Sequence, residues 1–422
     1  MIKGEKIRFD SHNILYSIYK FNKTLNSPTI KKIINNNKKE DISFLNNVTL
    51  NSMRFYFHTS KIIDIYVKKK LRDHEKILLI SAVTQIVYLD FKVYAVINCS
   101  VEIAKKLKIY HGLINATLKK ISKDKEKLKK IMIEFKDLPL WFKNKTKNLT
   151  DKEKKDFLNN FNQEPSLHIV FKNAKKLVNF EEKLINTTSR SGFLEKRGDI
   201  SKIKSFAQGD WWIQDFSSFF PLENLHMKVR DIEILDACAA PGGKSFQILS
   251  RNLNITLNDK SYSRIKTLET NLNRLNFDTK ILNFDFIKFS NNKKYDFIII
   301  DAPCSSVGTI RKNPEIFFKS KSPDFKSLNM IQEKLLSKAS SLLKKNGFIL
   351  YMVCSFLKNE TEDQINKFLS NQKGFQISRF RIKNNNAEYS RLISKGFMVT
   401  LPHKINNYNI DGYFAVYLKK SV

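Results

Sequence analysis

The feature that most restricts how this chain folds is an alternation that begins near residue 206. Apolar runs too short for a helix (IEILDA, NITLND, TKILNFD, YDFIIIDAP, GFILYMVCS, GYFAVYLKK) take turns with stretches carrying apolar residues at three- and four-residue spacing (SFQILSR, RIKTLETNLNRL, SLNMIQEKLLSKASSLLKK). YDFIIID is almost continuously apolar, as a strand covered on both faces requires. The last of the helical stretches is expected to stop at Asn346-Gly347. Strands alternating with helices predict a mostly parallel, doubly wound α/β sheet of the Rossmann-like class over residues 206–422.

The first part of the chain follows another rule. HNILYSIYKF, RFYFHTSKIIDIYVKKKL and HEKILLISAVTQIVYL have helical spacing and almost no glycine, so residues 1–130 read as an all-α domain. Lys-rich, apolar-poor stretches at 122–130 and 143–156 mark a change of organisation, with DLPLWF as an apolar anchor between them. Residues 131–205, with the strand-like LHIVFKN and the turn-rich SRSGFLEKRGDI, read as a small connecting α+β domain. No run approaches the roughly 18 apolar residues of a membrane span, and MIKGEKIRFDSHN lacks the apolar core of a signal peptide. The four cysteines form neither a CxxC pair nor a Cys/His cluster, so no metal and no disulfide framework is expected, and a reducing cytoplasm is. A net charge of +34 suits a polyanionic partner. Runs such as NNNKKE and KDKEKLKK are equally what a Lys- and Asn-rich composition places on a solvated surface.

In doubly wound sheets ligands bind at the carboxyl ends of the strands, where this sequence keeps its unusual residues. Asp236-Ala-Cys238-Ala239-Ala240-Pro241-Gly242-Gly243-Lys244-Ser245 places paired glycines before a helix, so that backbone can approach a polar ligand. Gly243-Lys244-Ser245 imitates the end of a nucleotide-binding P-loop, but the glycine opening that motif would be residue 238, which is Cys, and Pro241 removes an N–H from the cradle. Asp259 ends the next strand, about 15–20 residues on, where an acid can bond ribose hydroxyls. Asp285 follows the strand after it, in reach of an adenine amino group. Asp301-Ala-Pro-Cys304 and Tyr351-Met-Val-Cys354 each put a cysteine just past an apolar strand, so both belong at one rim of the sheet. Cys99 lies in a helical stretch and reads as packing; Cys238 reads as tight packing within the glycine loop.

These motifs resemble the RNA cytosine-C5 methyltransferases of the RsmB/Sun and NOL1/NOP2 group. DACAAPGGK, DAPCSSVGTIRKNPE and VCS stand in that family's order, with QGDWWIQD before them and LPHKINNYNIDGYFAVYLKK after. The segment from LLISAVTQIVYLDF to GLINATLKKI is similar to NusB-type RNA-binding domains, a pairing characteristic of the bacterial enzymes acting on 16S rRNA. The resemblance implies S-adenosylmethionine as cofactor, held by Cys238 through Lys244, Asp259, Asp285 and Asp301. It implies Cys354 as nucleophile, Cys304 assisting product release, and Arg311 and Pro314 positioning RNA, in a chain expected to act as a monomer. The family's Pro and Glu-Glu-Asn run after the nucleophile is reduced here to Glu360 within FLKNETEDQ.

The chemistry explains two cysteines. Cytosine C5 becomes nucleophilic once a thiolate adds to C6, and sulfur is also a competent leaving group. A base must then remove the C5 proton, the role open to Cys304. Asp301 is expected at the N3/N4 edge of the base, either protonated facing N3 or ionised facing N4. The target must be unpaired or flipped out. A different RNA such as tRNA, a DNA cytosine methyltransferase and a non-catalytic NusB-like binding protein are the alternatives. The last leaves the second half without a purpose.

Overall fold

A computed structural model describes residues 3–196, 198–225, 232–290, 293–380, 382 and 387–421. The chain divides into two compact units, Met1–Gln163 with Ile310–Pro323, and Glu164–Thr309 with Asp324–Val422. Among the described residues no helix is long and apolar enough to cross a membrane.

The first unit is helical throughout. Its central helix, Asp73–Val87, is buried on every face from Ile77 to Val87, as expected of a helix surrounded by others. The stretch RFYFHTSKIIDIYVKKKL, read as one helical segment, is interrupted: Phe55 closes the helix Lys39–Arg54 and precedes Tyr56–Tyr66. Residues 131–163 belong to this unit, where Thr150 caps the helix Asp151–Asn160 through a reciprocal bond with Glu153. Residues 310–323 belong to it as well. Phe317 packs against Trp141, Phe142, Phe157 and Phe161 with ring centroids 4.8–6.1 Å apart, and Phe318 joins Tyr19 and Tyr56.

The second unit opens with a four-stranded antiparallel sheet, β1 (His168–Phe171), β2 (Leu184–Thr188), β3 (Ser191–Leu194) and β4 (Trp211–Ile213), in the order β2-β3-β1-β4. The apolar pair in QGDWWIQD therefore belongs to this small sheet, and the parallel sheet begins later than the pattern from residue 206 suggested.

The parallel sheet is built from β5 (Ile234–Asp236), β6 (Thr256–Asn258), β7 (Ile281–Leu282), β8 (Tyr295–Asp301) and β9 (Leu343–Val353). It continues through β10 (Phe375–Ser378), β11 (Ile393–Ser394), β12 (Phe397–Thr400) and β15 (Tyr413–Lys420), while β13 (His403–Ile405) and β14 (Tyr408–Ile410) form a separate hairpin. The order is β11-β12-β15-β9-β8-β5-β6-β7, with β10 also on β15. Neighbours from β9 to β7 run parallel, and β15 is antiparallel to β9. Side chains alternate between two cores: Phe297, Ile299, Leu350 and Met352 face one, Ile298, Ile300, Ile349, Tyr351 and Val353 the other. Apolar layers on both faces are why these strands lack a polar alternation. The long helix Phe325–Leu342 stops four residues short of Asn346. The chain turns there into β9, with Asn346 in the left-handed region at φ +61° and a register shift against β8. The fold is thus the expected Rossmann-like α/β sheet, and the chain winds outward in opposite directions from β5. That reversal opens a crevice at the carboxyl ends of β5 and β8.

Candidate active site

A cavity of about 360 Å³ occupies that crevice, a size within the range of small-molecule sites. Cys238, Asp259, Asp285, Asp301, Cys304 and Cys354, from five separate chain segments, all line it. Apolar surface comes from Phe286, Ile287, Ile331 and Leu335.

The glycine loop supports this cavity more than it lines it. Ala239 and Ala240 are buried, and the Ala239 N–H donates to the Asn258 carbonyl at 2.8 Å. The Ala240–Pro241 peptide is cis, and the Ala240 carbonyl accepts from Arg264. Gly242 has φ +115°, and a Cβ there would lie 2.1 Å from the Phe246 ring, so no other residue fits that position. Gly243 faces Gln214. Behind the loop, burial pushes Asp236 up to about 6, although Ser245 donates to it at 2.7 Å. Burial, together with Asp236, Asp301 and Asp259, raises the Cys238 thiol, which is therefore held protonated and not nucleophilic.

Asp259 is nearly covered. It accepts from the Ser261 N–H at 2.9 Å and the Ala240 N–H at 3.3 Å, and pairs with Arg264 at 3.3 Å. A carboxylate accepts about four hydrogen bonds, so one acceptor position remains for a ligand hydroxyl. Asp285 receives the Ile287 N–H at 3.1 Å and has more capacity left. Two acceptors above an apolar wall of Phe286 and Ile287 suit a nucleoside: hydroxyls and an amino group for the acids, a flat ring for the wall. Arg264 and Asn258 escaped sequence reading. Arg264 lies five residues past Asp259, in the first turn of the helix Tyr262–Leu275, while Asn258 donates to the Ala237 carbonyl and accepts from the Phe284 N–H, joining β5, β6 and the loop after β7.

At the other end of the cavity, Lys244 turns away from the glycine loop and its ammonium meets Asp301 at 2.7 Å. The Tyr413 hydroxyl donates to the other Asp301 oxygen at 3.2 Å. Burial and the charges of Asp301 and Cys354 raise Tyr413 well above its ordinary range, so it stays a phenol and a donor. Two donors aimed at one carboxyl group suit its ionised form.

The sulfurs of Cys304 and Cys354 lie 3.4 Å apart, and the Cys354 sulfur is also 3.4 Å from the Ser306 hydroxyl. Cys304 is pushed well above its usual range, first by its hydrogen bond with Cys354, then by burial and by the Cys354 and Glu360 charges. The serines that follow the two cysteines meet on one buried carboxylate. Glu360 accepts the Ser305 N–H at 2.7 Å, the Ser305 hydroxyl at 2.5 Å and the Ser355 hydroxyl at 2.7 Å. Gln332 adds a longer bond at 3.4 Å. The loops are further joined by Gly308, whose N–H donates to the Cys354 carbonyl at 3.1 Å and whose carbonyl accepts from Gly412 at 2.9 Å. A Cβ on Gly308 would lie 1.8 Å from the Gly412 carbonyl oxygen.

Arg311 is placed elsewhere. It is 1% exposed within the helical unit, where its Nε donates to the Asn160 carbonyl and its own carbonyl accepts from Arg54. It is part of a core and has no surface to offer RNA. Pro314 starts the short helix Glu315–Phe318 in the same unit.

A nucleoside-sized pocket that ends on two touching cysteines is equipped to bind a nucleoside cofactor and to attack an electrophilic ring with sulfur. Comparison with known proteins finds these similarities. Residues 224–419 match the family described as 16S rRNA methyltransferase RsmB/F, and residues 8–123 match the NusB family. The chain is 27% identical to the ribosomal RNA small subunit methyltransferase B of Proteus mirabilis, over 83% of this chain and 88% of that one. Among solved structures it resembles PH0851, with a TM-score of 0.72 at 19% identity, covering 100% of this chain and 99% of that chain. It also resembles NSun6 from Pyrococcus horikoshii with SFG, with a TM-score of 0.57 at 17% identity, over 67% of this chain and 98% of that chain.

Proposed function

We propose that the chain is a member of the RsmB/F methyltransferases that carry a NusB-family domain, the two families that residues 224–419 and 8–123 match. From that premise we propose that it methylates carbon 5 of a cytosine in small-subunit ribosomal RNA, with S-adenosylmethionine as methyl donor and Cys354 bonded to C6 during the reaction. The observation that carries this reading is the pair of sulfurs 3.4 Å apart at one end of a cavity whose other end presents two carboxylates and an apolar wall.

The cavity residues fit the cofactor. Asp259 has an acceptor position for a ribose hydroxyl, Asp285 has capacity for the adenine amino group, and Phe286 and Ile287 supply the face for the ring. When bound, the cofactor supplies an electrophilic methyl group.

The chain's own residues do the rest. The Cys354 thiolate adds to C6, forming the S–C6 bond, and the electron pair of the C5–C6 double bond is displaced into the ring. Asp301, ionised between Lys244 and Tyr413, accepts from the cytosine N4 amino group and fixes the base edge. Lys244 balances that carboxylate as negative charge moves onto the ring. After C5 has gained its methyl group, Cys304 releases its own proton to water and the resulting thiolate takes the C5 proton, directly or through water. The electron pair of that C–H bond re-forms the double bond, and the S–C6 bond breaks with its pair returning to Cys354. The timing follows from the pair. A Cys354 that is bonded to carbon carries no charge and no S–H, which removes the first of the causes that raise Cys304 together with the Cys354 charge, while burial and Glu360 remain. Cys304 therefore becomes more acidic at the stage when a base is needed.

The test is transfer of labelled methyl from S-adenosylmethionine to small-subunit rRNA lacking its modifications, with bisulfite sequencing of the product. One strong new 5-methylcytosine is the expected result. Transfer to tRNA alone would replace the substrate, and no transfer despite cofactor binding would remove the catalytic reading.

A further inference from the structure

We infer that Ser306 is a catalytic residue whose hydroxyl donates a hydrogen bond to the Cys354 thiolate. The inference rests on the reading of Cys354 as nucleophile. Ser306 is two residues past Cys304 and lines the cavity, with its Oγ 3.4 Å from the Cys354 sulfur. That contact, in which the Cys354 thiol donates to the Ser306 oxygen, is the hydroxyl's one hydrogen bond among the described residues, and it reverses once the sulfur is a thiolate with no proton to give. Its backbone sits in the left-handed region at φ +59°, where a residue with a Cβ is disfavoured. Two bonds to the Ser306 carbonyl, from the Thr309 N–H at 2.9 Å and the Thr309 hydroxyl at 2.8 Å, hold that conformation. Glycine would adopt it at no cost, so a serine there is explained by what its side chain reaches.

The sulfur needs such a donor. The groups turned toward Cys354 from the surrounding elements are Cys304, Tyr413 and Asp301, with Glu360 behind Cys304. Each is an acid, and each would repel a thiolate when ionised. Lys244, the nearby cation, is taken up by Asp301. Ser306 and the protonated Cys304 are the neighbours that can donate without acquiring charge. During addition the hydroxyl releases the sulfur's lone pair to C6, and on elimination it receives the re-formed thiolate.

The test follows alkylation of Cys354 by iodoacetamide in the full chain, read by mass spectrometry of its peptide between pH 6 and 10, without RNA or cofactor. Ser306→Gly removes the hydroxyl and suits the left-handed backbone; Ser306→Ala is the second variant. Both are expected to react about tenfold more slowly than wild type at pH 7, an upward shift of about one unit or 1.4 kcal/mol, and to rejoin it at high pH. The pH limb of methyl transfer should move by the same amount. A merely structural role would change the high-pH rate and leave the midpoint in place. An unmoved midpoint in both variants, each melting like wild type, overturns the hydrogen bond and leaves the methyltransferase reading standing. Absent methyl transfer with a shifted midpoint does the reverse.

Discussion

Glu360→Ala should separate the two cysteine loops. The carboxylate has no exposed surface and accepts from one fixed donor, the Ser305 N–H, from two hydroxyls, and more weakly from Gln332. The hydroxyls can rotate toward other acceptors, but the N–H cannot. A buried donor left unsatisfied costs about 1–3 kcal/mol. Adding the weakened hydroxyl bonds and the vacated volume gives about 3–5 kcal/mol, similar to the loss of one partner from a buried charged arrangement. For a unit of this size that lowers the melting temperature by about 10 °C. Glu360→Gln is the informative contrast. Its amide oxygen can keep the Ser305 N–H while its NH₂ faces hydroxyls that can turn to accept, so the expected loss is about 1 kcal/mol. Differential scanning calorimetry reads the stability, and methyl transfer reads the cysteine geometry. A Glu360→Ala variant melting within 2 °C of wild type, or a Glu360→Gln variant as damaged as Glu360→Ala, would refute the reasoning.

Cys354→Ala should abolish methyl transfer, whereas Cys304→Ala should accumulate a covalent RNA adduct, seen as a shifted band on a denaturing gel; the reverse pattern would exchange the two roles. Gly308→Ala should cost at least about 3 kcal/mol by overpacking against Gly412, while Gly198→Ala, with open space around it, should melt like wild type. Burial depresses His12 to about 3 from 6.5, beside His74 at 3.0 Å. The helical unit should therefore hold its full stability above pH 6.5 and lose it as pH falls toward 3, because the unfolded chain binds the proton first. His12→Leu should flatten that limb by about one proton, as measured by thermal melts against pH.

Much of this was legible because it is written locally. The runs IEILDA, YDFIIIDAP and GFILYMVCS announce buried strands, and the acids and cysteines at their ends fall at one rim because parallel strands share a direction. What escaped depends on partners far away in the chain. Glu360 looks like an exposed acid in FLKNETEDQ until Ser305, 55 residues earlier, is seen to bond it. Tyr413 sits in an apolar strand and gives no sign that it meets Asp301 across 112 residues. Lys244 belongs to the glycine motif by sequence and to Asp301 by structure. Arg311 continues the cysteine motif in sequence, but residues 310–323 have an apolar pattern that fits the helical core, and burial decided its place. The end of the long helix was missed for a similar reason: pairing of Leu343 with Tyr295 draws the chain into the sheet before the glycine is reached.

The passage of residues 310–323 into the helical unit bears on how this protein can be cut. A fragment starting at residue 164 would carry Phe317 and Phe318 but none of the rings that cover them, and would present two bare phenylalanines nine and ten residues past the strictly packed Gly308. A fragment ending at residue 163 would lack a buried phenylalanine of its own core. Neither half is a transferable cassette. Grafting the NusB-family domain onto another enzyme, or trimming this one to its catalytic half, means redesigning the surfaces that those fourteen residues close.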